Sequence, residues 1–309
     1  KDTGFRESFY GKGERSVNPV SLLAFLALTL LSTWATASET LKSENCGIDR
    51  LKFTMVPKTD FDEQVLEYQP LLELLEEGLG IPVDLVRASS YESVIDGIVA
   101  GSVDLAVMGP ASYILAHRDD PDIQAFASLI TEKGELTPEG SFYYSVLLVP
   151  TSSDVDRIED LRSARVLLTD PSSTSGALMP KHAFAAELKE SFSDFFGAEI
   201  YAGSHDKALL FLADNKAEAA FVSSARADEL FRRGLIRKNA FKVLWRSPAL
   251  HYDPFVFRSG ICPTLRETVM ELLKTPSAKL TAYLDTQQAV GVNSVSHSDY
   301  EAIDAILPD

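Results

Sequence analysis

The sequence has few of the side chains on which enzyme chemistry depends. It contains only two cysteines and five histidines, and no Cys/His cluster has the spacing of a zinc site. The G-x-S-x-G nucleophile elbow, the P-loop and the dinucleotide-binding fingerprint are absent from the sequence. Residues 204–207 fit S-x-x-K, but the companion motifs of that enzyme class are missing. We therefore predict a protein that is not an enzyme and that uses no metal and no cofactor.

Positive charge is also scarce. Lys and Arg number 29 against 45 for Asp and Glu, which gives a formal net charge of −16. Such an acidic surface argues against nucleic acid and anionic lipid as partners. It also disfavours long-range attraction of anions, so any anion site must rely on donors placed inside it.

A long apolar run is found only near the N-terminus. Lys12 and Arg15 precede the apolar residues 20–31, and small residues follow at Ala35 and Ala37. This order is typical of a secretory signal peptide, and the run is shorter than the roughly 20 residues of a membrane span. We therefore predict that residues 1–37 are a cleaved signal peptide and that the mature protein is secreted.

The two cysteines, Cys46 and Cys262, both follow the predicted cleavage site. In an oxidising compartment such a pair is a candidate disulfide. The alternative is two unpaired buried thiols. The sequence gives no distance between the two residues, so both alternatives stay open.

Strand and helix patterns alternate along most of the chain in two sets, and the second set begins near residue 143. In the last part of the chain the pattern predicts helices at 264–273, 278–284 and 299–306. The alternation predicts an α/β fold with mixed or parallel sheets flanked by helices. Crossings near residues 142 and 247 place residues 50–142 and 247–309 in lobe one and residues 143–246 in lobe two. Ligands of such folds bind beyond the carboxyl ends of the strands, here in the cleft between lobes that close by a hinge.

The turn at residues 170–176 has the clearest chemistry. It reads Asp-Pro-Ser-Ser-Thr-Ser-Gly and lies between a predicted strand at 165–169 and a predicted helix at 177–189. Four consecutive hydroxyl side chains, together with the free N–H groups of a helix start, can hold a small oxyanion without a cationic side chain. The alternative is that Ser173 or Thr174 only caps the helix, which requires a single hydroxyl.

Several short motifs follow one another between about residues 51 and 263. They are SYESVI at 90–95, VDLAVMGPASY at 103–113, DPSSTSGALMP at 170–180, GSH at 203–205, and WRSP at 245–248 followed by DP at 253–254. In order and spacing they resemble the phosphonate-binding periplasmic proteins of ABC importers, the PhnD-like family with the type II solute-binding fold. The resemblance implies a monomeric periplasmic protein that binds a small oxyanion and works with a permease and ATPase complex in the inner membrane.

The resemblance also implies which side chains touch the ligand. Ser173, Thr174 and Ser175 match the family's oxyanion site, where hydroxyls and helix N–H groups hold the three oxygens of a phosphonate-like group. Tyr91 matches a ligand-contacting tyrosine of the first lobe, and Tyr143 matches a tyrosine beside the hinge. Without the resemblance, Tyr91 would also suit an aromatic side chain that packs on the core at the start of a helix.

Two further side chains match the family's pocket. His205 corresponds to a histidine that can donate to a phosphonate oxygen, and its alternative is a histidine in a surface loop. Asp253 corresponds to a carboxylate in the crossover back to the first lobe. In the aminoalkylphosphonate binders that carboxylate meets the amine of the ligand, and with other ligands it could accept from a protonated oxygen. The alternative for Asp253 is a turn residue before Pro254.

The sequence departs from the family pattern near residue 226. The aminophosphonate binders place an acidic residue there, whereas this chain has Arg226 and, two positions later, Asp228. Either Asp228 replaces the acidic residue, or Arg226 enters the pocket and favours a more anionic ligand than an aminophosphonate. Phosphonate, phosphite and phosphate therefore all stay open as the ligand.

The function predicted from these features is capture of a phosphonate-like oxyanion between two lobes for an ABC importer. The alternative is an oxyanion sensor that presents its closed form to a membrane kinase. The sequence does not separate the two functions, because the docking partner recognises the surface of the protein and not its pocket.

Overall fold

The computed structural model describes residues 47–307, and the residues from Ile48 onward form one compact unit. The predicted signal peptide and Cys46 lie outside the described residues. Cys262 is disulfide-bonded, while its pairing with Cys46 stays a prediction. Among the described residues, no helix combines the length and the apolar character that a membrane span requires.

Three β-sheets organise the described part of the chain. The strands, in chain order, are β1 (Leu51–Met55), β2 (Val83–Leu85), β3 (Leu105–Val107), β4 (Gln124–Thr131), β5 (Phe142–Tyr143), β6 (Ser145–Pro150), β7 (Arg165–Leu168), β8 (Ala198–Tyr201), β9 (Ala219–Ser223), β10 (Phe241–Arg246), β11 (Leu250–His251), β12 (Pro254–Phe257) and β13 (Ala289–Ser294). A six-stranded sheet has the order β13-β4-β12-β3-β1-β2, and a five-stranded sheet has the order β10-β6-β9-β7-β8.

Both large sheets are mixed. Strands β1, β2 and β3 are parallel, as are β7, β8 and β9. Strand β12 is antiparallel to both of its neighbours, β3 and β4, because the chain returns to this sheet from another part of the fold and not through a crossover helix. The prediction of an α/β fold with mixed or parallel sheets flanked by helices is confirmed.

The two crossings between the large sheets pair with each other. Strand β5 leaves the six-stranded sheet and β11 returns to it, and together they form an antiparallel two-stranded sheet. Leu250 lies opposite Tyr143, and His251 lies opposite Phe142. The pairing brings Tyr143 close to the segment that carries Asp253.

Helices cover the faces of the sheets. The α-helices are Phe61–Leu79, Tyr91–Val99, Pro110–Asp119, Ala185–Leu188, Phe192–Phe195, His205–Ala213, Ser224–Arg232, Pro263–Lys274, Ala278–Thr286 and Glu301–Asp304, with 3₁₀ turns at Ile158–Leu161 and His297–Asp299. Local sequence explains several of their ends. The side chains of Asp60, Ser90 and Ser204 cap helix starts, and Gly80 ends the first helix in the left-handed conformation.

Three strands were not predicted, namely β4, β13 and the two-residue β11 within the predicted crossover. Strand β4 (QAFASLIT) is buried along almost its whole length, and alanine at two of its positions has low β-propensity. Its extended conformation depends on pairing with β12 and β13, which come more than 100 residues later in the chain. Strand β13, an edge strand that contains Gly291, lies between the predicted helices at 278–284 and 299–306, where the sequence analysis assigned no element.

The predicted helix at 177–189 begins earlier than expected. It starts at Thr174 with two π-helical turns, Thr174–Leu178 and Pro180–Phe184, before the α-helical turn Ala185–Leu188. The π-helical turns widen the helix at its start. They place Thr174 and Ser175 inside the first helical turn instead of before it, with Ser173 as the N-cap.

Candidate functional site

Ser173 fills the capping role that the sequence left open. It is the N-cap of the helical run, and its side chain accepts a hydrogen bond from the N–H of Gly176 at 3.2 Å. Gly176 packs tightly on the end of β7, because a Cβ atom at this position would lie 1.8 Å from the Thr169 hydroxyl oxygen. One hydroxyl of the turn therefore caps the helix, and the helix start is fixed against the sheet.

Thr174 connects the turn to the six-stranded sheet. Its hydroxyl oxygen accepts a hydrogen bond from the N–H of Ala111 at 2.8 Å, at the start of the helix Pro110–Asp119. A hydroxyl carries one proton, and a backbone N–H can only donate. The Thr174 proton therefore remains available for a second acceptor. Both Thr174 and its neighbour Ser175 are almost completely buried.

Two tyrosines complete the hydroxyl side of the site. Tyr91 begins the helix Tyr91–Val99, where Ser90 and Ser93 form a capping box, and its hydroxyl lies beside Ser173. The Tyr143 hydroxyl lies beside Ser175. Burial, and secondarily the negative charge of Asp253, raise the pKa of both tyrosines above the ordinary range. Both are therefore neutral hydroxyl groups that can donate.

His205 is a neutral imidazole with a defined tautomer. Its Nδ1 atom accepts a hydrogen bond from the N–H of Ser223 at 3.1 Å, so the ring proton lies on Nε2. The Nε2 atom is 3.4 Å from the Ser173 hydroxyl oxygen. Burial, together with the positive charges of Arg226 and Lys58, lowers the pKa of His205 to about 3. The imidazole therefore presents an uncharged N–H group to this side of the site.

Asp253 is paired with a lysine that the sequence analysis did not single out. The Lys58 ammonium lies 2.7 Å from a carboxylate oxygen of Asp253, and about a tenth of each side chain is exposed. Burial alone would lower the pKa of Lys58, but the adjacent Asp253 carboxylate raises the pKa above the usual lysine range. Lys58 is therefore charged, and the pair has no net charge.

One small cavity brings together all of the predicted site residues. Its wall contains Tyr91, Tyr143, Ser173, Thr174, Ser175, His205 and Asp253, together with Lys58, Ser223, Arg226 and Tyr252. The volume of about 20 Å³ is room for about one water-sized group. Lys58 lies in the loop after β1, at the carboxyl end of a parallel strand, which is the one sequence signal that could have pointed to it.

The structure separates the two charged residues near position 226. Arg226 lines the cavity and makes two hydrogen bonds to Asp206, at 2.7 and 3.1 Å. Asp228 instead accepts hydrogen bonds of 2.9 Å from the backbone N–H groups of Glu135, Leu136 and Thr137. Asp228 therefore holds the loop that precedes β5 and has no place in the wall of the small cavity.

A second, larger cavity adjoins the first. It has a volume of about 330 Å³, and its wall shares Lys58, Arg226 and Tyr252 with the small cavity. Loop residues 131–137, the helix Ser224–Arg232 and residues 286–288 supply most of the remaining wall. The three shared side chains thus stand between the hydroxyl turn and the larger space.

The sequence matches a family model described as ABC transporter, phosphonate, periplasmic substrate-binding protein, over residues 53–300. The chain is 26% identical to the phosphate-import protein PhnD of Mycolicibacterium smegmatis, over 82% of this chain and 84% of that protein. It is 28% identical to the phosphonates-binding periplasmic protein of Escherichia coli, over 84% of this chain and 76% of that protein.

Solved structures agree on the fold. The binding protein component of a Pseudomonas aeruginosa ABC phosphonate transporter has a TM-score of 0.75 at 20% identity and covers 83% of this chain and 85% of its own. PhnD1 of Prochlorococcus marinus, solved in complex with methylphosphonate, has a TM-score of 0.74 at 16% identity and covers 84% and 97%. The fold is that of the type II periplasmic binding proteins, and the chain belongs to the phosphonate family of periplasmic substrate-binding proteins of ABC transporters.

Proposed function

We propose that this chain captures a small tetrahedral oxyanion, namely a phosphonate, phosphite or phosphate, in the cavity beside the hydroxyl turn and delivers it to an ABC importer. The observation that carries the proposal is the wall of that cavity, in which three consecutive hydroxyl residues at a helix start are buried together with two tyrosine hydroxyls and a neutral imidazole. Hydrogen bonds from such donors to an ionised oxygen are about twice as strong as those between neutral groups.

In this arrangement each oxygen of the ligand has its own hydrogen-bond donor. Thr174 has its proton free because its oxygen already accepts from Ala111. His205 offers Nε2–H because Nδ1 already accepts from Ser223. Ser175, Tyr91 and the N–H groups of the helix start supply the remaining donors. The donors are oriented by the protein, so the ligand does not have to reorganise them.

Closure of two lobes around the ligand is part of the proposal. The lobes are residues 50–142 with 247–309, and residues 143–246, joined at the crossings that contain β5 and β11. Hydrogen bonds connect them at the site, among them those from Ala111 N–H to Thr174 at 2.8 Å and from Tyr91 N–H to Asp170 at 3.4 Å. A ligand that bridges the same surfaces binds the closed form better than the open form, and this difference couples binding to transport.

The remaining parts of the proposal follow from the sequence. Residues 1–37 direct export and are removed, the mature protein acts as a monomer in the periplasm, and it catalyses no reaction. It delivers its ligand to a permease and ATPase complex. No observation favours the kinase-linked sensor, so transport is the only function that we propose.

The names of the relatives support three ligands without choosing among them. One relative is a phosphate-import protein, another is a phosphonates-binding protein, and a third was solved with methylphosphonate. All three names refer to compact tetrahedral anions. In the described conformation the cavity holds about one water-sized group, so a tetrahedral anion requires the cavity to widen, as a movement of the lobes would allow.

Calorimetric titration of the mature protein with methylphosphonate, phosphite and phosphate tests the function. We expect at least one dissociation constant below 1 mM, and we expect Thr174→Ala to weaken that ligand about tenfold or more, because a hydrogen bond to a charged group contributes about 1.5–3 kcal/mol. Thr281→Ala, at an exposed position of the helix Ala278–Thr286, is the matched control and should leave binding unchanged. Affinities no better than millimolar for all three anions would refute the proposal.

A further inference from the structure

The buried pair formed by Lys58 and Asp253 is built into the site. The Lys58 ammonium lies 2.7 Å from the carboxylate and 5.4 Å from the ring centre of Tyr252. The backbone of Lys58 is fixed on both sides, since its N–H donates to Gln64 at 3.1 Å and its carbonyl accepts from the N–H of Asp206 at 3.3 Å. Gln64 is itself buried and donates to the carbonyl of Val56. Lys58 is therefore held in place and is not a mobile surface lysine.

The pair changes what the cavity accepts. A lone carboxylate in the wall of an anion site would repel the anion and attract a cation. With Lys58 at 2.7 Å, the charge of Asp253 is already compensated, and the position that a cation would occupy beside the carboxylate is filled. A ligand that carried its own ammonium group would have to displace Lys58 or approach it, and like charges at short distance repel strongly.

The route out of the small cavity leads past the same charge. Lys58, Arg226 and Tyr252 are the three side chains that line both cavities, and two of them are cations. A substituent that extends from a bound oxyanion toward the larger space passes the part of the wall that contains Lys58 and Arg226. A neutral or absent substituent needs no counter-charge there, whereas an ammonium group approaches two cations whose carboxylate partners, Asp253 and Asp206, are already paired.

We propose that Lys58 is a specificity-determining residue that acts as an internal cation, so that the site selects oxyanions without an amino group and rejects aminoalkylphosphonates. The inference rests on the proposed function, because it concerns the same cavity. The sequence left open whether Arg226 or Asp228 determines if an aminophosphonate can bind, and the structure points to a different residue. The residue that excludes an amine is Lys58, in a part of the chain that the resemblance did not indicate, and Arg226 adds to its effect.

Four proteins that differ only in the pair test this inference. They are the wild type, Lys58→Met, Asp253→Asn and the double variant, with Lys52→Met as the matched control because Lys52 is an exposed lysine on the preceding strand. Each is titrated with methylphosphonate and with 2-aminoethylphosphonate in a calorimeter. Circular dichroism and thermal unfolding establish that each variant is folded.

The expected results are changes in the ratio of the two affinities. The wild type and the Lys52→Met control should prefer methylphosphonate by tenfold or more, and Lys58→Met should shift the ratio toward 2-aminoethylphosphonate on the order of tenfold or more, because the freed carboxylate can then pair with the amine. Lys58→Met leaves a buried carboxylate unpaired and could therefore fail to fold. The comparison of Asp253→Asn with the double variant then gives the effect of Lys58 alone. The preference for methylphosphonate over 2-aminoethylphosphonate should be smaller in the double variant.

Each contrary result has a distinct meaning. Equal binding of the two ligands by the wild type would overturn the inference while leaving the proposed function in place. The inference is also overturned, and the proposed function kept, if the ratio of the two affinities is the same in Lys58→Met as in the wild type and the same in the double variant as in Asp253→Asn. A wild type that binds methylphosphonate, phosphite and phosphate no better than millimolar would overturn the proposed function and the inference with it.

Discussion

The turn after β7 and the loop after β1 face the same cavity with different chemistry. The turn contributes Ser173, Thr174 and Ser175, which are uncharged donors on the five-stranded-sheet side. The loop contributes Lys58, which pairs with Asp253 just before β12 of the six-stranded sheet. The difference separates two tasks. In the function that we propose, the neutral donors bind the tetrahedral group that all candidate ligands share, and the ion pair discriminates by the charge of the rest of the ligand.

The comparison also explains how an acidic protein can hold an anion. The net charge of −16 gives no long-range attraction for an anionic ligand. The hydroxyl turn needs none, because its donors act only at contact distance. The paired lysine keeps Asp253 from adding a further repulsion inside the cavity.

The largest effect is expected where the backbone of the hydroxyl turn is forced to move. In Gly176→Ala the new Cβ would lie 1.8 Å from the Thr169 hydroxyl oxygen, so the helix start must shift. We expect a loss of about 1–3 kcal/mol in the free energy of unfolding, together with weaker binding of every tetrahedral anion. Urea denaturation and calorimetry measure the two effects. Gly291→Ala is the control, because its Cβ would make only ordinary contacts. Unchanged affinity in Gly176→Ala would show that the turn does not hold the ligand.

A smaller effect tests whether His205 is neutral in the folded protein. The pKa of His205 is lowered to about 3 in the folded protein, whereas it is about 6.5 in the unfolded chain. The unfolded state therefore binds an extra proton below pH 6.5, and stability falls as the pH falls from there toward 3. We expect a loss of about 1.4 kcal/mol at pH 5.5 relative to pH 7.5 from this residue.

The variant His205→Gln isolates that contribution. Glutamine offers an acceptor for Ser223 N–H but does not titrate. Denaturation of both proteins at the two pH values, without ligand, gives the difference between their pH dependences. If the wild type and the variant lose the same stability between pH 7.5 and 5.5, His205 is not held neutral.

The smallest effect concerns the cap that positions Tyr91. Ser90 caps the helix Tyr91–Val99, and Ser277 caps the helix Ala278–Thr286 in the same way. We expect each serine-to-alanine change to lower the free energy of unfolding by about 1 kcal/mol. Only Ser90→Ala should also weaken methylphosphonate, because only that cap adjoins the cavity. Equal affinities of the two variants for methylphosphonate would show that Tyr91 does not contact the ligand.

Local sequence was enough to predict the hydroxyl side of the site. The four hydroxyl residues are consecutive, and the strand before them and the helix after them are visible in the apolar pattern. The extra π-helical turns were not predictable, because they depend on how Gly176 and Pro180 pack against the sheet. The predicted helix start was three positions too late, and the predicted residues Ser173, Thr174 and Ser175 line the cavity, while their contact with a ligand stays a prediction.

The charged side could not be predicted in the same way. Lys58 and Asp253 are separated by nearly 200 positions, and their contact exists only because β1 and β12 lie in one sheet. Arg226 and Asp228 are two residues apart on one helix, which turns by about 200° between them. One therefore faces the cavity and the other faces the loop at residues 134–137, a difference that depends on the orientation of the helix.

The strand order of the six-stranded sheet has a consequence for how the chain folds. Strand β12 lies between β3 and β4, and β13 lies on the other side of β4. Strand β4 therefore has no in-sheet partner until more than 120 further residues have been synthesised. The five-stranded sheet is built from contiguous residues and has a shorter delay, because β6 ends at Pro150 and its first partner, β9, begins at Ala219. We expect it to assemble first, while β4 waits as an unpaired, mostly apolar segment, which is the kind of edge that periplasmic chaperones protect from aggregation.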